Sequence, residues 1–123
     1  MDHPDILHGV CADETLTPER CFITELWNHA DDTAASVAQA RVEPGVLTQR
    51  HRLDVDERYV ITKGCGRVQL EGLDPQIVVA GDVVLIPAHC AQQIENIGRE
   101  DLVFLCVCTP RFELSCYHPA DDS

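Results

Sequence analysis

The chain has 123 residues, 45% of them hydrophobic, with a formal charge of −12 and seven cysteines. That length implies one domain, 1–123, with a single core and no room for a second. The charge repels phosphate backbones and argues against nucleic acid, and no apolar run approaches the ~20 residues that a membrane helix needs.

Strand-like runs broken at short intervals by turn residues dominate the chain, so an all-β barrel or sandwich is expected. Residues 1–16 read as an arm: polar, proline-bearing and without alternation. Strands are expected at 21–28 and 36–43, separated by a polar turn at 29–33. Residues 47–53 and 58–62 flank an acidic bend at 54–57, and the turn 63–66 (KGCG) reverses the chain into 67–71. Further strands are expected at 76–80, 83–86, 92–96 and 101–109, the last stopped by Pro110. The core of the barrel is thus about 21–111, and 112–123 form a second arm. Such arms cover a barrel edge, pack on a partner subunit or stay disordered.

The N-terminal MDHPDILHGVCADE lacks the basic start of a secretory signal, which points to a cytoplasmic protein. The cysteine count is odd and no pair has zinc-site spacing. Most of the thiols are therefore expected to be reduced, as small core or near-surface residues.

Period-2 alternation selects an interior set. If His51 faces inward, Gln49 and Leu53 share its side; after the bend, Glu57, Tyr59 and Ile61 face in and Arg58 and Val60 face out. The interior is then mostly apolar with one polar cluster, as in a small ligand pocket. Glu25 interrupts an apolar strand and is expected to face solvent, because an unpaired buried carboxylate is costly.

Two spaced motifs carry the chemistry: PGVLTQRHRLDVDERYVITKG (Pro44 to Gly64) and GDVVLIPAHCAQQIEN (Gly81 to Asn96). Their order, Gly45…His51…Glu57…Gly64 and Gly81…Pro87…Gln92…Asn96, resembles the two motifs of the cupin superfamily. The resemblance implies a cupin-type jelly-roll β-barrel of two antiparallel sheets. It implies a divalent metal (iron, nickel, zinc or manganese) held by His51, Glu57 and Gln92, with Glu57 also able to act as a base. The chain departs from the pattern at Leu53, where a second histidine is usual, at Gln92, where another histidine is usual, and at His89, where glycine is usual. Gln49 or His89 is a possible substitute ligand, although His89 is expected at the rim. Asn96 is expected to bond turn backbone. Tyr59 is placed to orient a substrate, and Cys106 stands where cupin barrels often line the pocket.

Two functions follow. One is a metal-dependent enzyme acting on a small organic substrate such as a carboxylate or carbonyl compound. The alternative is a non-catalytic barrel that binds a small ligand in a metal-poor site. A homodimer joined through sheet edges is expected in either case.

Overall fold

The computed structural model describes residues 3–120. Those residues form eleven strands and two short 3-10 turns, Gly9–Cys11 and Leu114–Cys116. In chain order the strands are β1 (Glu14–Leu16), β2 (Phe22–Trp27), β3 (Ser36–Val42), β4 (His51–Leu53), β5 (Asp56–Lys63) and β6 (Cys65–Leu70). They continue as β7 (Gln76–Val79), β8 (Val83–Ile86), β9 (Gln92–Asn96), β10 (Leu102–Thr109) and β11 (Tyr117–Pro119). One sheet has the order β1-β2-β3-β10-β5-β8 and the other β11-β4-β9-β6-β7. Both are antiparallel, and together they make a jelly-roll barrel.

The alternation expected for β5 is present: Glu57, Tyr59 and Ile61 are buried, while Arg58 and Val60 are half-exposed. Register then places each interior side chain. Across β10, Glu57 faces Cys108, Tyr59 faces Cys106 and Ile61 faces Phe104. Polar groups therefore gather toward one end of the barrel and branched apolar groups toward the other. At the apolar end Ile61, Ile94, Leu102 and Val42 are almost completely buried.

The same end is locked by two turn residues. Gly64 has φ +88°, and a Cβ there would lie 2.7 Å from the Asp101 carbonyl and 2.9 Å from the Leu102 Cα. Only glycine lets the β5–β6 reversal pass so close to β10. Asn96 is 1% exposed. Its amide donates to the carbonyls of Val42 and Glu100, each at 2.8 Å, and its own carbonyl accepts the Gly98 N–H at 2.9 Å. The expected turn-bonding role of Asn96 is therefore met.

Two expectations change. The strand expected over 47–53 begins only at His51, because Thr48 N–H and Gln49 N–H donate to the Ile94 and Glu19 carbonyls instead of joining a continuous ladder. Both arms contribute edge strands: β1 pairs with β2, and β11 pairs with β4 through Pro119 opposite His51. Residues 1–2 and 121–123 of the expected arms lie outside the described residues. No helix among the described residues is long and apolar enough to cross a membrane.

Candidate functional site

The polar end of the barrel is hollow. A cavity of about 560 Å³ lies between the sheets and reaches the segments that precede β2 and follow β10. That is within the usual size of small-molecule sites. Its deeper wall is apolar, with Ile23, Ala40, Ile94 and Phe104, and its polar groups include Glu19, His51 and Glu57.

Glu57 comes from β5 and is 7% exposed. One carboxyl oxygen accepts the Cys108 thiol at 3.6 Å, and Oε1 has no hydrogen-bond partner. Burial pushes its pKa up to about 7, with smaller opposing pulls from Cys108 and Gln92 and a further upward push from the charge of Glu19. The group is therefore close to half-protonated at neutral pH.

His51 opens β4 and is 6% exposed. Its ring stacks on Tyr117 with centroids 4.7 Å apart, and Tyr117 donates its hydroxyl to Gln49 Oε1 at 2.9 Å. His51 Nδ1 lies 3.0 Å from the Gln49 carbonyl. A carbonyl only accepts, so Nδ1 carries the proton and Nε2 of the neutral ring is the basic nitrogen. Strand position, stacking and tautomer thus fix one imidazole in the cavity wall.

Glu19 completes the polar cluster, and nothing in the sequence reading singled it out. It sits on the turn between β1 and β2, where Thr17 bonds the Cys21 carbonyl and Arg20 takes φ +69°. The Arg20 guanidinium holds the Leu47 carbonyl at 2.8 Å and Gln49 N–H donates to the Glu19 carbonyl, so the turn is tied to the approach to β4. Glu19 Oε1 accepts the Cys21 thiol at 3.0 Å. Its Oε2 is buried without a hydrogen-bond partner, 3.5 Å from His51 Nδ1. A carboxylate that reaches the site from a turn has no periodic signature; only the tertiary contact reveals it.

The other expected residues are distributed as follows. Gln49, Leu53, Tyr59 and Cys106 line the cavity. Gln92 is buried but is not in the lining; its carbonyl oxygen accepts the Tyr59 hydroxyl. His89 is at the rim with φ +70°, 3.5 Å from Asp54, and does not reach the cavity, which removes it as a substitute ligand. Glu25 is exposed as expected, yet it borders the cavity. Burial and the neighbouring carboxyls hold the Cys21, Cys106 and Cys108 thiols well above the ordinary thiol range, so they stay protonated. Burial likewise keeps the Tyr59 phenol neutral.

A divalent metal does not fit this donor set. Gln92, the expected third donor, gives its oxygen to Tyr59 and stands outside the cavity wall. Leu53 offers an apolar side chain where a second imidazole is needed, which leaves one imidazole and one carboxyl as strong donors from the expected set. Among the described residues no group of three or more His, Cys, Asp or Glu side chains could hold an ion.

The sequence profile of the cupin domain family matches residues 38–108. No curated protein sequence matches the chain. Among solved structures, the fold is similar to Pac13 of Streptomyces, described as a nucleoside dehydratase, at 14% identity and TM-score 0.79, covering 96% of this chain and 92% of that one. It is also similar to the polyketide cyclase RemF of Streptomyces resistomycificus, at 15% identity and TM-score 0.81, covering 98% and 88%. A third is described as a predicted oxalate decarboxylase of Thermotoga maritima, with 22% identity and TM-score 0.77, covering 86% and 99%. At these identities the likeness establishes the fold.

Proposed function

The chain belongs to the cupin domain family, and from that premise we propose that it binds a small organic molecule in the barrel cavity and moves protons on it. The observation that carries this reading is Glu57. A carboxyl buried beside a cavity, with one unpartnered oxygen and a pKa of about 7, is poised to give or take a proton at neutral pH. His51 supplies the second group. With Nδ1–H committed to the Gln49 carbonyl, Nε2 accepts a proton from a carbon or oxygen of the bound molecule. Protonated Glu57 returns one to another atom of that molecule, and the products are an isomer or, where a hydroxyl is protonated, an alkene and water. Tyr59, tilted against Phe104 at 4.5 Å, acts as a wall that orients the ring of the ligand.

The neighbours described as a nucleoside dehydratase and a polyketide cyclase are compatible with this chemistry, since proton transfer drives both loss of water and ring closure. The seven unbridged cysteines suit a cytoplasmic setting. A homodimer through sheet edges belongs to the same proposal: Val83 and Leu85 project apolar side chains from the edge strand β8. Light scattering is expected to give twice 13.7 kDa.

Incubation of wild type and E57Q with a pool of small metabolites in deuterated water, read by mass spectrometry, tests the reaction. At least one compound is expected to gain deuterium or lose water with wild type and to remain unchanged with E57Q. A wild type that alters nothing overturns the catalytic reading and leaves a barrel that only binds.

A further inference from the structure

Carboxyls supply the negative charge of the cavity wall, among neutral hydroxyl and carboxamide groups such as Ser36, Thr48, Asn28 and Gln49. Glu19 Oε2 and Glu57 Oε1 are buried without hydrogen-bond partners, and Glu25 adds a third carboxyl to the wall. Among the described residues no lysine or arginine lines the cavity. Arg111 approaches it through Asn28, whose Oδ1 accepts the guanidinium at 3.1 Å, and is itself paired with Glu113 at 2.9 Å. The remaining wall is largely apolar.

Unpartnered buried acceptors are costly, and a ligand that satisfies them recovers that free energy. A carboxylate or phosphate in the same place adds like charge to a low-dielectric site whose carboxyls outnumber its one imidazole and which has no lysine or arginine in its wall. Charge, cavity size and acceptor count therefore select against one large class of metabolite and in favour of another.

Building on the proton-transfer reading, we infer that the cavity binds an uncharged or cationic molecule of ring-system size that presents hydroxyl or amine hydrogens to Glu19 and Glu57, and that it rejects carboxylates and phosphates. This replaces the carboxylate substrate that a metal-centred site would favour. It also assigns Glu19 a role: its Oε2 receives a donor of the ligand next to the His51 ring and so fixes which part of the ligand faces His51. Glu19 is a specificity residue, and Glu57 combines specificity with proton transfer.

Three naphthalenes of similar shape separate the terms. Calorimetric titration at neutral pH is carried out with 2,3-dihydroxynaphthalene, which offers two donors, 2,3-dimethoxynaphthalene, which offers none, and 2-naphthoate, which is an anion. The diol is expected to bind at least about tenfold more tightly than either of the others. In E19Q the two classes diverge, because the charge is lost while the shape is kept: the diol weakens about fivefold and naphthoate strengthens. A merely structural role for Glu19 shifts all three probes in the same direction. E57Q provides the same divergence test should E19Q fail to fold.

Naphthoate or the dimethoxy compound binding as tightly as the diol overturns the inference, as does parallel movement of all probes in E19Q or the absence of binding by any probe. Turnover in deuterated water is a separate readout. A wrong ligand class with intact turnover removes this inference alone, and the correct class without turnover removes the catalytic reading alone.

Discussion

The two ends of the barrel handle buried polar groups in opposite ways. At the closed end Asn96 is surrounded by Val42, Glu100 and Gly98, and both heteroatoms of its amide are bonded. At the open end Glu57 and Glu19, both residues of the cavity wall, each have one buried oxygen without a hydrogen-bond partner. A single strand, β5, joins the two, from Glu57 at the hollow end to Ile61 in the packed core. The contrast shows where stability resides and where it has been given up. Saturated hydrogen bonds and dense apolar packing hold the closed end, and the open end retains unsatisfied groups that a ligand can satisfy.

Damage at the closed end should therefore unfold the protein without altering the site, and damage at the open end should do the reverse. Asn96→Ala leaves the buried Val42 carbonyl without a partner and removes two part-buried bonds, to the Glu100 carbonyl and from the Gly98 N–H, so a loss of about 4 kcal/mol is expected in urea denaturation. A loss near zero would erase the distinction between the ends. Gly64→Ala forces a Cβ against the backbone of Asp101 and Leu102 at positive φ and is expected to cost about 3 kcal/mol by the same measurement.

Glu57→Gln should act in the opposite direction. The folded-state pKa of Glu57, about 7, lies above its ordinary 4.5, so between these values the folded protein holds a proton that the unfolded chain has released. Its contribution therefore favours the fold at low pH, declines as pH rises toward about 7, and is flat above. Glu19, His51, Tyr59, Cys106 and Cys108 line the cavity with it in both proteins, so the difference between wild type and E57Q isolates this group. At pH 8 the variant is expected to be about 2 kcal/mol more stable than wild type while losing turnover. Equal stability at every pH would contradict the assignment. The smallest change in stability is expected for His51→Ala, about 1 kcal/mol from the lost stack on Tyr117, with turnover abolished.

The sequence made the closed end legible because punctuation and period define it. Gly81 and Pro87 bracket β8, and the expected bounds of β8 and β9 agree with those observed. The alternation of β5 identified Glu57, Tyr59 and Ile61 as interior residues, and the motif asparagine proved to be the turn-bonding group. The open end was only partly legible. His51, Glu57, Gln49, Leu53, Tyr59 and Cys106 all line the cavity, but motif position could not indicate that the Gln92 oxygen is bonded to Tyr59. The three-residue edge strands β1 and β11 are too short to display alternation. Glu19 depends on a turn held in place by a long-range bond from Arg20 to Leu47, which no local pattern encodes.

The proton transfer assigned to the open end depends on the state of one carboxyl, that of Glu57. Carbon-13 NMR titration of the glutamate side-chain carboxyls, with E57Q to identify the signal, measures that state directly. One glutamate is expected to titrate near pH 7, with its signal missing from E57Q. A Glu57 signal that titrates with the ordinary carboxylates near pH 4.5 would contradict it.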